Sequence, residues 1–215
     1  MKKLFIFDLD GTLINTIADL AESTNQALRI LGFPTHTTEE YKYFVGNGVM
    51  KLFERALPED ARTEENIVKV RSLFVPYYDE HNADMSKAYE GMPEILKTLQ
   101  SKGAKLAVAS NKYQRATSKL ISHYFPEINF SAVWGQREGV PVKPNPAVVN
   151  NILRETSISK ESTIYLGDSN VDMQTGKAAE VDVCGVTWGF RPKEELMKEN
   201  PSYIISKVDE ILSFL

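Results

Sequence analysis

A single cysteine, Cys184, stands among the 215 residues, so the chain can close no internal disulfide. The three histidines, His36, His81 and His123, are scattered, and with one cysteine they offer no zinc spacing. Long apolar runs are missing as well. Leu4 to Phe7, after Met1-Lys2-Lys3, is too short for a signal-peptide core, and nothing elsewhere nears the roughly 20 apolar residues of a membrane span. Neither charge dominates. The 25 basic and 29 acidic residues leave a net charge of -4, no footprint for nucleic acid or an anionic membrane. Asn129-Phe130-Ser131 fits a glycosylation acceptor, which carries little weight without a secretion signal. There is no internal repeat and no low-complexity tract. The expectation is a globular, cytoplasmic protein, monomer or homodimer, with neither a nucleic-acid nor a membrane partner.

What is present is an alternation of short apolar runs and helical patterns. Leu4–Phe7, Lys105–Ala109, Ala132–Trp134, Thr163–Leu166 and Val181–Val186 read as strands, near-continuously apolar as a parallel sheet covered on both faces requires. Between them, a segment opened by Pro93 and ended near Gly103, and residues 113–122 and 146–155, read as helices. Such alternation predicts an α/β, Rossmann-like, doubly wound parallel sheet. One stretch breaks the rhythm. From about Ile17 to Asn82 there are only helical patterns: a stripe of Ile17, Leu20, Ala21, Thr24, Leu28 and Leu31 ended by Gly32 and Pro34, then helices over 38–56 and 64–80. This predicts an all-helical cap, 17–82, inserted in a core of 1–16 and 83–215, with hinges near Asn15-Thr16 and Asp84 to Lys87.

The polar residues gather where the strands end. In a parallel sheet, side chains just past the carboxyl ends meet in one crevice. The first strand runs into Asp8-Leu9-Asp10-Gly11-Thr12, the second into Ser110-Asn111-Lys112, and the fourth into Gly167-Asp168-Ser169-Asn170-Val171-Asp172. Lys143-Pro144-Asn145-Pro146 opens a helix between them. Four carboxylates in one crevice repel, and a hard cation with oxygen ligands relieves them; Mg²⁺, which keeps waters and bridges to phosphate, suits the set. With Lys143, a hydroxyl and turn amides added, the site is built for a phosphoryl group. Asp8 and Asp10, two apart, point to one side. Asp8 can attack phosphorus in line, and Asp10 can protonate the leaving alcohol and later take a proton from water. Gly11 allows the sharp turn beside the substrate.

These four stations, Asp8-Leu9-Asp10-Gly11-Thr12-Leu13, Ser110-Asn111, Lys143-Pro144 and Gly167-Asp168-Ser169 with Asp172, resemble the haloacid dehalogenase-like superfamily over almost the whole chain. The helical insert resembles its small cap. The resemblance implies Asp8 as nucleophile and metal ligand, and Asp10 as general acid/base that also binds Mg²⁺ through its carbonyl. It implies Leu9, Asp10, Ser110, Asn111 and Lys143 on the phosphoryl oxygens. Asp168 would ligate Mg²⁺, and Asp172 would ligate it or orient its waters. Val45-Gly46-Asn47-Gly48 and Val186-Thr187-Trp188-Gly189-Phe190-Arg191 look like segments of the phosphoglycolate phosphatase-like subgroup; Asn15-Thr16 departs from the Asp-Ser pair of many relatives. The implied activity is hydrolysis of a small phosphorylated metabolite. Pyrophosphatase, nucleotidase and sugar phosphate mutase activities share these features, and a regulatory protein that has lost catalysis is the non-enzymatic alternative.

Each motif has a plain reading beside the chemical one. Asp-x-Asp-Gly alone is an ordinary turn; here a strand precedes it and the glycine is misplaced for a calcium loop. Asp168 and Asp172 could cap a helix. Gly46, Asn47 and Gly48 either separate two helices or lower a loop onto the substrate. Arg191 either meets a substrate carboxylate or decorates the surface.

Overall fold

A computed structural model describes all 215 residues. Six parallel strands, β1 (Leu4–Phe7), β4 (Lys105–Tyr113), β5 (Phe130–Gln136), β6 (Thr163–Gly167), β7 (Asp182–Val186) and β8 (Tyr203–Ile205), form one sheet. Their order across it is β5-β4-β1-β6-β7-β8. A two-stranded antiparallel ribbon pairs β2 (Ile14–Asn15) with β3 (Lys87–Ala88). The helices are α1 (Ile17–Leu31), α2 (Thr38–Phe44), α3 (Val49–Ala56), α4 (Glu64–His81), α5 (Met92–Ser101), α6 (Gln114–Tyr124), α7 (Ala147–Thr156), α8 (Asn170–Ala178) and α9 (Lys193–Lys198).

The apolar strands are two-faced because side chains alternate along an extended chain. Phe5 and Phe7 of β1 pack with α5, α6 and the C-terminal turn around Ile211. Leu4 and Ile6 pack on the other side with α7, and Met173 of α8 and Leu196 of α9 extend that layer over Val183. All four residues of β1 are fully buried at the centre of the sheet. Asp8, the next residue, therefore leaves the sheet from its most enclosed position.

Two sequence expectations need correction. The helix over 38–56 is two helices, because Gly46 and Gly48 take φ of 119° and 85°, a region hostile to other residues and outside any helix. Ser110, Asn111 and Lys112 do not follow a strand end at Ala109. They lie within β4, in the irregularity of its pairing with β5 between Ala109 and Tyr113. Such breaks re-aim side chains beside active sites. The edge strand β8 and the β2–β3 ribbon were not legible: two or three residues carry no period.

Residues 17–81 fold into α1–α4 around their own apolar cluster, with Tyr41, Phe53, Phe74 and Tyr78 fully buried. α1 ends as its glycine predicts, with Gly32 left-handed at φ 75° and its N–H on the Arg29 and Leu28 carbonyls. The chain enters and leaves this bundle side by side through the ribbon. Asp19, 2% exposed in the first turn of α1, accepts hydrogen bonds from the N–H groups of Met85 and Ser86 and from the Ser86 hydroxyl, which fastens the returning strand. No helix is long and apolar enough to cross a membrane.

Candidate active site

Four chain segments meet at the carboxyl edge of the sheet. β1 delivers Asp8, whose N–H continues the ladder to the Leu166 carbonyl at 2.9 Å. The chain then turns through Gly11, at φ 84°, where a Cβ would lie 2.2 Å from Asp168 Oδ2. β6 delivers Asp168, and α8 carries Asp172 in its first turn. Carboxylate oxygens of Asp8, Asp168 and Asp172 lie within 4.8 Å of one another, all three groups buried.

Lys143 lies between Asp8 and Asp172, 2% exposed. Its Nζ is 2.9 Å from Asp8 Oδ1 and 2.7 Å from Asp172 Oδ1. It also donates to the Ala109 carbonyl at 3.0 Å and the Tyr165 hydroxyl at 2.9 Å. Burial works against its charge, yet Asp172 and Asp8 outweigh it and hold the ammonium well above the usual lysine value. Asp172 is saturated: Oδ1 accepts from Lys143 and Tyr165, and Oδ2 from the Ser169 N–H and hydroxyl in a capping box. The capping reading of this residue and its place in the carboxylate cluster are both geometrically true.

Asp168 is different. It is 2% exposed and has no cation within 4 Å. Its Oδ2 accepts the Phe190 N–H at 2.7 Å, and Oδ1 takes a long bond from the Thr12 hydroxyl at 3.4 Å. Burial, then the Asp172 and Asp8 charges, push its carboxyl well above the usual range. The Asp8 carboxyl is pushed up to about 7, by burial first and by Asp172 next, against the pull of Lys143. Ionising both groups together without a further positive charge is costly. The donors are hard carboxylate oxygens alone, a set that fits a small divalent cation and not a soft one.

The remaining predicted residues are placed as follows. Asp10 lines the same cavity, its Oδ1 accepting from the Thr16 hydroxyl at 2.6 Å and lying 3.1 Å from Lys112 Nζ. The Leu9 N–H donates to Asp8 Oδ1 at 2.7 Å, the charged acceptor nearest to hand. Ser110 is 4% exposed and lines the cavity. The Asn111 side chain is a joint: its Nδ2 donates to the Gly46 and Lys143 carbonyls, both at 3.0 Å, and its Oδ1 accepts the Lys143 N–H at 2.8 Å. Gly46 and Gly48 both separate helices and face the cavity, whereas the Asn47 side chain turns away to Arg55. Arg191 is not a surface ornament. Its side chain is 10% exposed, and it donates to the carbonyls of Val45 at 3.1 Å and Tyr43 at 3.3 Å.

The cavity is about 50 Å³, room for about three or four waters, or one group of phosphate size. Leu52, Phe74 and Tyr78 of the helical bundle close it from above. Lys112, 7% exposed, directly follows Ser110-Asn111 but carries no motif signal of its own. Tyr165 and the Phe190 N–H carry no local signal at all.

The chain is 32% identical to a phosphoglycolate phosphatase of Haemophilus influenzae, with 99% of this chain and 98% of that one covered. A crystal structure from Lactobacillus delbrueckii subsp. bulgaricus matches it with a TM-score of 0.91 at 31% identity, over 98% of this chain and 97% of that chain. One from Haemophilus somnus matches with a TM-score of 0.92 at 28% identity, over 99% and 97%. The model of the haloacid dehalogenase-like hydrolase family spans residues 5–186, from β1 to the end of β7, and this chain belongs to that family.

Proposed function

We propose that this haloacid dehalogenase-like phosphatase hydrolyses a small phosphate monoester of the 2-phosphoglycolate class, with Asp8 as nucleophile and Mg²⁺ as cofactor. One observation carries the reading: three buried carboxylates within 4.8 Å, Asp168 among them without any cation, under a cavity of phosphate size. Asp8, Asp168 and the Asp10 carbonyl would hold Mg²⁺, with Asp172 behind them fixing Lys143. When bound, the ion neutralises the carboxylates and draws charge from the phosphoryl oxygens.

The chain's own groups do the rest. An Asp8 oxygen attacks phosphorus, the ester P–O bond breaks, and the phosphoryl group is left on Asp8 as an acyl phosphate. Asp10 gives its proton to the departing alkoxide. Water then attacks the same phosphorus, Asp10 takes its proton, the bond to Asp8 breaks, and inorganic phosphate leaves. Lys143, fixed from four sides, needs no reorganisation as charge moves onto the phosphoryl oxygens. Ser110 and the backbone amides beside it would hold those oxygens. Residues 17–82 would act as a cap that excludes bulk water and limits substrate size.

The substrate class rests on the named relative and on the size of the cavity. A screen with Mg²⁺ over 2-phosphoglycolate, pyrophosphate, nucleoside monophosphates and a hexose 1-phosphate tests it; the expected result is the highest kcat/KM on 2-phosphoglycolate. Acid quench after mixing with a ³²P-labelled ester should leave label on the native chain and none on Asp8→Asn. Equal labelling of both proteins would remove Asp8 from the reaction.

A further inference from the structure

Lys112 is a buried ammonium on β4 with no part in the reaction as derived so far. Burying such a group without partners is unfavourable, and its partners lie on two separate parts of the molecule. Its Nζ is 3.1 Å from Asp10 Oδ1, on the loop after β1. It also donates to the Tyr78 hydroxyl at 2.8 Å and sits 4.7 Å from the centre of that ring, on α4 of the helical bundle. Tyr78 is itself fully buried.

Oδ1 of Asp10 is held from two sides, by Lys112 and by the Thr16 hydroxyl at 2.6 Å. Oδ2 makes no hydrogen bond to the protein, and the residue faces the cavity. The carboxyl group is thus clamped by one oxygen and presents the other. Lys112 is in turn aimed by α4. The next residue of that helix repeats the connection: Asp79 Oδ1 accepts from the Tyr113 hydroxyl at 2.8 Å, and Arg115 and Lys119 also reach Asp79. The stretch from β4 into α6 that carries Ser110 and Lys112 grips α4 at two successive residues.

We propose that Lys112 is a positioning residue that aims the free oxygen of Asp10 at the leaving oxygen of the substrate, and that Tyr78 makes this aim depend on the seating of α4. The inference rests on the reading of Asp10 as general acid and base. It assigns the bundle a duty beyond covering the crevice: only with α4 seated is the proton donor aligned. Displacement of α4 would release Lys112 toward solvent and leave Asp10 held by Thr16 alone.

Leaving groups separate this from a merely structural role. Glycolate must be protonated as it departs, whereas p-nitrophenolate leaves unaided, so the first turnover of p-nitrophenyl phosphate does not need an aimed Asp10. Rapid quench with 2-phosphoglycolate and a stopped-flow burst with p-nitrophenyl phosphate would be recorded for the native protein, Lys112→Met and Tyr78→Phe. Lys112→Met is expected to slow the alkyl ester by about 10²-fold, the low end of general acid catalysis, and to leave the aryl burst unchanged. Tyr78→Phe, which keeps shape and ring, is expected to show the same split at about 2–10-fold, the weight of one hydrogen bond.

An equal fall on both esters, or no fall in either variant, overturns the proposal. A split in Lys112→Met with none in Tyr78→Phe overturns the link to α4. Should Lys112→Met fail to fold, Lys112→Gln takes its place, and the same split or its absence decides. If phosphoryl transfer to Asp8 limits the native aryl turnover and no burst is seen, single-turnover rates with enzyme in excess are compared in its place; unsplit variants then count against Lys112 only, since the ³²P labelling tests Asp8 separately.

Discussion

The floor and the roof of the crevice are held together by different forces. On the floor, charged groups from four distant segments answer one another in a dry setting: Lys143 bonds Asp8, Asp172, Tyr165 and the Ala109 carbonyl, all at 3.0 Å or less. The roof, α1 to α4, is organised by its own apolar cluster and reaches the floor through few groups. Ala116 and Phe190 join that cluster, Asn111, Lys112 and Arg191 each hold one or two polar atoms of the bundle, and Tyr113, Arg115 and Lys119 all converge on the single residue Asp79. Buried charge networks fix geometry because any misplacement leaves a charge unpaired. An internally packed bundle on a few polar struts can shift as a unit. Chemistry should therefore fail first at the floor, and selectivity at the roof.

The sharpest break is Asp8→Asn. Phosphate release should fall by about 10⁴–10⁶-fold, the range for loss of a nucleophile. Yet the change removes one of three crowded negative charges, so without metal the variant should melt no lower than the native protein, by calorimetry. A lower melting temperature would mean the floor is not strained by its carboxylates. Lys143→Met should show the opposite sign. It strands Asp172 and Asp8 without their shared cation, and loss of about 3–5 kcal/mol is expected in denaturant titration, the usual penalty for a broken buried pair.

Metal and pH sharpen the same contrast. Burial, and the Asp172 charge next, push the Asp8 carboxyl up to about 7 in the folded chain, from an ordinary value of 3.8. Between those values the folded state keeps a proton that the unfolded state has lost, so stability falls as pH rises through that window. Asp168, also raised, adds in the same direction. Mg²⁺ should relieve this, so its gain in melting temperature should be larger at about pH 8 than at about pH 5, with the pH slope reduced in Asp8→Asn. A gain independent of pH would place the ion away from these carboxylates.

How much of this the sequence disclosed differs between the two regions for the same physical reason. The sheet and the floor were legible because a buried parallel strand must be almost wholly apolar, and the polar residue that ends it stands out: Phe7 before Asp8, Leu166 before Gly167-Asp168. The interruption of 38–56 was legible only as one of two readings of the glycine pair, since glycine permits a positive φ without demanding it. Contacts between floor and roof left no trace at all. Lys112 meets Tyr78 from 34 residues away and Arg191 meets Val45 from 146, and no local pattern encodes either. Asp172 shows the limit from the other side, since one residue serves as both a helix cap and a lysine's counter-ion.

The smallest expected effect tests the roof alone. Arg191 reaches from the segment after β7, whose Phe190 N–H holds Asp168, to the Tyr43 and Val45 carbonyls at the end of α2, and its guanidinium lies 5.0 Å from the Tyr43 ring centre. One bond is long, 3.3 Å, and the other ordinary, 3.1 Å, and both go to neutral carbonyls, so Arg191→Met should lower stability by only about 1 kcal/mol. Because the same backbone stretch leads through Gly46 into the cavity wall, KM for 2-phosphoglycolate should rise by about fivefold, the kinetic equivalent of that loss. The p-nitrophenol burst rate, set on the floor, should not change. A fall in the burst with KM unmoved would mean that Arg191 acts through Phe190 on Asp168, and that this strut belongs to the floor.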